Sequence, residues 1–178
     1  MLTRKLAGVA AIFALGACAT VSAPVEGPKL GRALTQDELA AWDTSVMPDG
    51  TGLPAGSGTA AQGAKIYAQK CTACHGENGK GGSATALIPD GSITSINAAE
   101  KTIGNFWPYS TTLFDYIRRA MPWQQPKSLT SDEVYALTAY LLALNKVIRD
   151  NDTMNATTLP QVHMPNRDGF ILRFPNRI

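Results

Sequence analysis

Cys71-Thr72-Ala73-Cys74-His75 is the stretch that decides the fold. Two cysteines three positions apart lie on one face of a helical turn, so both thiols reach the same side of a planar group. The next residue presents an imidazole. This CxxCH spacing is that of covalent haem attachment, with Cys71 and Cys74 meeting the two vinyl groups and His75 binding the iron from the proximal side. A thioredoxin-like CxxC is expected after a strand in a βαβ unit. Here the preceding stretch carries Gly63, Ile66, Tyr67 and Lys70 at near-helical spacing, which predicts a helix over 60–70. A zinc site needs a further ligand pair, and the one other histidine is His163. A single CxxCH predicts a single covalent haem.

Working outward, helices alternate with Gly- and Pro-rich loops. Thr35-Gln36-Asp37-Glu38 is a capping-box pattern and predicts a short helix over 36–43. Residues 47–59 are turn-rich and 76–95 are Gly-rich, so both read as loops. Leu113, Phe114 and Ile117 share a face of a helix over 111–120, which Met121-Pro122 ends because proline disfavours helix at the residue before it. Thr130-Ser131-Asp132-Glu133 is a second capping box. It opens the longest helix, 131–148, with Val134, Leu137, Leu141, Leu144 and Ile148 in helical period. No stretch shows convincing strand alternation. The expected class is all-α, with 58–148 as the haem domain, 18–57 as tether and leader loop, and 149–178 as a tail packing on the domain.

The sixth iron ligand must come from elsewhere. The candidates are Met47, Met121, Met154, Met164 and His163. Met121 is preferred: it follows an amphipathic helix and precedes a proline that holds the loop away from helix. Met164 also stands before a proline, but in the tail. A His/Met pair raises the haem potential, and closing both axial positions favours electron transfer over oxygen or peroxide chemistry.

The N-terminus reads as an address. Arg4 and Lys5 precede an apolar stretch, Leu6 to Ala17, that is too short to span a bilayer. Residues 1–17 are therefore expected to be a signal peptide. Leu15-Gly16-Ala17-Cys18 has the form of a bacterial lipobox, in which Cys18 carries the lipid. The rival is ordinary cleavage after Ala19 or Ala23, leaving the protein unanchored. The expected location is the bacterial periplasm, lipid-anchored to a membrane on the preferred reading.

Gly63 and Tyr67 before the motif, CxxCH itself, Met121-Pro122, and Leu129 to Leu141 together resemble class I cytochromes c. The resemblance implies that fold, with the first and last helices crossing where Gly63 meets an aromatic such as Tyr140. It also implies that a proline carbonyl, here Pro89, accepts from the His75 ring nitrogen. Residues 107–122, 128–145, the run Met164 to Phe170, and the loop Pro48 to Pro54 are similar to the cytochrome subunits of sulfite and sulfane dehydrogenases of the sulfur-oxidation type. That likeness, over roughly residues 40–172, implies an electron carrier. Its donor would be a molybdenum-cofactor subunit, and its acceptor a downstream cytochrome or oxidase. Some members carry a second haem domain, which is not expected here because CxxCH occurs once, and a lipid anchor is not a family requirement. The alternative is a free-standing, membrane-tethered cytochrome serving an oxidase or another dehydrogenase. The chain is not expected to be catalytic alone.

Trp107 and Tyr109 have ring N–H and O–H groups able to donate to haem propionates, or else pack as ordinary aromatics. Arg118 and Arg119 are candidates for a propionate or a partner, and Lys65, Lys70, Lys80 and Lys127 for a docking rim. With 178 residues, 44% hydrophobic and 17% charged, the composition is that of a globular chain and excludes a disordered one. Net charge is +2, too weak for nucleic acid. Removing Arg4 and Lys5 leaves equal numbers of basic and acidic side chains. Three cysteines are accounted for by one lipid and two haem bonds.

Overall fold

A computed structural model describes residues 27, 30–89 and 100–171. The expected signal peptide, Cys18, and the last residues of the tail lie outside them. The chain divides into two units, Met1–Leu39 and Ala40–Ile178. In the first, Arg32 pairs with Glu38, whose carboxylate also accepts from the Thr35 backbone N–H at 2.9 Å. The Glu38 N–H donates back to Thr35 Oγ1 at 3.3 Å, which completes the capping box at the start of α1, Gln36–Trp42.

The second unit is built around two helices. α2, Ala60–Lys70, opens on a capping box between Thr59 and Gln62. The CxxCH stretch then forms α3, Thr72–His75, a single turn ended by Gly76 at φ 76°. α4 spans Ser110–Ala120, and α5, Ser131–Leu144, opens on the Thr130–Glu133 capping box. α2 crosses α5 where a Cβ on Gly63 would run into the Ala136 carbonyl, so only glycine permits this approach. Tyr67 and Tyr140 meet at the same crossing, ring centroids 5.1 Å apart. Phe114 of α4 packs on Tyr135 of α5, centroids 4.5 Å apart. The core continues through Ile103, Leu137 and Leu142.

Two features depart from the sequence expectation. α5 stops at Leu144 rather than 148. Lys146 takes φ 58°, its N–H donates to Ala143 O at 2.8 Å, and that of Val147 to Leu142 O at 2.9 Å. This is a Schellman end made with lysine instead of glycine. Val147 and Ile148 still pack on the core, which keeps their helical period although the helix has ended. The second departure is a pair of short antiparallel strands, β1 Ser57–Thr59 and β2 Thr153–Asn155, with Gly58 opposite Met154. Three residues are too few for alternation to register in sequence.

After β2 the chain crosses the domain. Leu159 and Met164 are buried in the core. The Ser110 hydroxyl donates to Leu159 O at 2.6 Å, and Asn166 Nδ2 donates to Phe106 O at 2.7 Å. These bonds hold the 102–110 segment, which leads into α4. Among the described residues, no helix is long and apolar enough to cross a membrane.

Candidate functional site

The α3 turn forms one wall of a cavity of about 310 Å³, within the ~300–1,000 Å³ range of small-molecule and cofactor sites. The Cys71, Cys74 and His75 side chains line it. Met121 lines it from the segment after α4, and Leu137 and Leu141 of α5 contribute apolar surface. Local chemistry builds each wall. The Cys71 N–H continues α2 onto Tyr67 O at 2.9 Å, and the His75 N–H donates to Cys71 O at 3.0 Å. The Tyr67 hydroxyl donates to Gly76 O at 2.9 Å, tying the end of the turn back to α2. Opposite, the Met121 N–H donates to Ile117 O at 3.1 Å, so the last bond of α4 places this residue; the Met121–Pro122 peptide bond is cis.

Electrostatics separate this CxxC from a catalytic dithiol. Burial pushes the Cys71 thiol up to about 11, and the nearby Lys70 charge only partly opposes that. A redox-active cysteine has its thiol lowered instead. Burial is also the main cause that raises the Tyr67 hydroxyl to about 12, so it stays a neutral donor.

The methionines sort by position. Met154 and Met164 are in the core, Met164 with no exposed surface, and Met47 is 52% exposed. Of the described methionines, only Met121 lines the cavity. His163 is in the tail, exposed, with Nε2 3.6 Å from Asp168.

Two expected contacts differ. The carbonyl facing His75 Nδ1 is that of Thr85, at 3.4 Å, while the Pro89 carbonyl accepts from Lys80 Nζ at 3.5 Å. The loop is held with Ala84 and Leu87 bonded back to Cys74 and Gly79, which turns Thr85 rather than Pro89 toward the imidazole. Trp107 lines the cavity, but Tyr109 does not; its ring lies under the Arg167 guanidinium, 4.1 Å from the centroid. The tail thus claims the Tyr109 ring that sequence reading offered to a propionate.

Some of the basic candidates are engaged. Arg119 pairs with Asp115 at 2.8 Å and Lys70 with Glu133 at 2.7 Å. Lys65 and Lys127 are exposed. Two aromatics that sequence reading passed over stand at the cavity: Trp123, 76% exposed, and Tyr116, 48% exposed, the latter edge-on to Trp107 at 5.7 Å. Their signal was an aromatic directly after Met-Pro, and another on the helix leading to it.

The cytochrome c family model matches residues 60–145. Among solved structures, the crystal structure of the sulfane dehydrogenase SoxCD from Paracoccus pantotrophus contains a similar chain. That chain is 41% identical with a TM-score of 0.75, over 80% of this chain and 71% of that one. The family implies covalent haem c, and the residues present fit it. Two thiols and an imidazole stand on one wall, a thioether lines the same cavity, and the surface between is mostly apolar. The chain belongs to the cytochrome c family, as a c-type cytochrome resembling the haem subunit of SoxCD.

Proposed function

We propose that this chain carries single electrons through one haem, as the partner of a molybdenum-cofactor subunit that oxidises a sulfur compound. The observation that carries the reading is that the CxxCH turn and Met121 line one apolar cavity. When bound, haem supplies one-electron exchange between ferric and ferrous iron. Cys71 and Cys74 would hold it covalently, His75 and Met121 would ligate its iron, and Trp107 would offer its indole N–H to a propionate. The Leu137 and Leu141 side chains exclude water, which keeps the charge change at the iron from being solvated and favours the ferrous state.

Electrons enter and leave at the mouth, where Trp123 and Tyr116 present exposed aromatic surface. Lys70, which lines the cavity beside these aromatics, has its charge paired with Glu133, so a partner meets mainly exposed aromatic surface there. Likeness to a chain of SoxCD supports a molybdenum subunit as donor. A downstream cytochrome or oxidase is the acceptor. Residues 1–17 direct export to the periplasm, Cys18 carries a lipid anchor, and residues 58–148 form the haem domain with a leader before and a tail after.

Co-purification tests the reading. The expected result is a stoichiometric molybdenum subunit and reduction of the haem on addition of sulfite or a sulfane-sulfur substrate. A holo-cytochrome that purifies alone and is not reduced by that subunit with substrate would overturn it.

A further inference from the structure

Asn145 follows the last residue of α5, and its side-chain amide reaches beyond the helix. Nδ2 donates to Leu141 O at 2.8 Å and to Leu87 O at 3.3 Å. Leu87 in turn donates its N–H to Gly79 O at 2.8 Å, and the Ala84 N–H donates to Cys74 O at 2.8 Å. Residues 84–87 are thus tied at both ends. Between the ties lies Thr85, whose carbonyl faces His75 Nδ1 at 3.4 Å.

The helix end does not by itself call for this amide. Its capping bonds are made by the Lys146 and Val147 backbones. Asn145 Oδ1 is buried with no hydrogen-bond partner among the described residues. An orphaned buried acceptor is destabilising, so a role for Nδ2 at Leu87 accounts for what a cap alone leaves unexplained. Gly104 closes the other side: a Cβ there would collide with Asn145 Oδ1. The amide is therefore confined between Gly104 and the 84–87 segment.

We propose that Asn145 is a positioning residue for His75. Through Leu87 it holds the Thr85 carbonyl against the imidazole N–H and so sets the ring's orientation and its electron donation to iron. This rests on the reading of His75 as an axial ligand. A carbonyl accepting from the distal ring nitrogen makes the imidazole a stronger donor, which favours ferric iron. Loosening the segment raises the reduction potential. Both Nδ2–Leu87 and His75–Thr85 contacts are long for hydrogen bonds, so small displacements weaken them markedly.

The test uses the holo-protein and the variants Asn145→Ala, Gly104→Ala and the double variant. Ferric-state NMR of the parent comes first: if the His75 ring resonances are not shifted by iron, the ligand reading fails, not this one. With that shift present, each single variant is expected to raise the potential. Each should also speed exchange of the His75 ring N–H with solvent deuterium by about tenfold, the loss of roughly one hydrogen bond. The double variant adds little, because both changes act on one contact. Gly104→Ala keeps asparagine at 145 but displaces its amide, and carries the test should Asn145→Ala fold poorly. A potential and an exchange rate equal to the parent's in the folded variants overturn the proposal, even where thermal stability falls, and leave Asn145 a helix cap.

Discussion

The Gly63 backbone rests against the Ala136 carbonyl so closely that no side chain fits between them. α2 carries the CxxCH turn at its end, and α5 carries Leu137 and Leu141 into the cavity, so this contact sets the distance between two walls of the site. Gly63→Ala must push backbone against backbone. Expected is a loss of about 3 kcal/mol, the upper end for overpacking, together with reduced haem incorporation. Denaturant unfolding and the haem-to-protein absorbance ratio check it.

Two methionines give opposite signatures. Met121→Ala is expected to change the ferric absorption spectrum and lower the reduction potential, because the soft thioether that favours ferrous iron is lost. Its stability cost is about 2 kcal/mol, the low end for a methionine truncation, since Met121 is only partly buried. Met164→Ala, at a fully buried position, costs more, about 2–5 kcal/mol, and leaves spectrum and potential unchanged. Spectropotentiometry alongside thermal melts separates the two.

Trp123 is 76% exposed, so Trp123→Ala should alter stability by no more than about 0.5 kcal/mol. As an interface anchor, its removal should weaken association with the electron donor by about 2 kcal/mol, roughly 30-fold. Because Lys70 is already paired with Glu133, that association should depend only weakly on ionic strength. Stopped-flow reduction at several salt and partner concentrations reads both effects.

The Glu133 carboxyl is held below its ordinary value of 4.5, chiefly by the Lys70 ammonium and next by the Thr130 backbone N–H. A lowered native pKa adds stability that is full above the ordinary value and is lost as pH falls through the native one. The stability lost between neutral pH and the acid side of 4.5 should therefore be smaller in Lys70→Met than in the parent. Urea unfolding at a series of pH values measures the difference.

Legibility in the sequence followed the range of each interaction. The Thr35–Glu38 and Thr130–Glu133 capping boxes are four-residue chemistry and were readable as such. The Thr59–Gln62 box is the same device, less conspicuous with glutamine. CxxCH was legible because covalent attachment demands residue types at a spacing. The Thr85 carbonyl was not, since any residue supplies one and only the folded loop decides which faces His75. α5 was read too long because Ile148 stays in period although Lys146 has left the helix. Tyr109 looked equivalent to Trp107 until Arg167, far along the chain, took its ring. The exposure of Trp123 ran against the usual burial of large aromatics, so nothing local announced it.

The pairing of β1 with β2 bears on the order in which the protein is made. Ser57 finds its partner only when Asn155 exists. During synthesis, the Cys71 and Cys74 thiols emerge well before the segment that closes the domain behind them. A chain cut short before residue 153 would present both thiols yet lack the clasp, along with Leu159 and Met164 of the core. The β1–β2 pairing therefore forms only after the CxxCH segment has been made, so Cys71 and Cys74 are present in the chain before the domain can close.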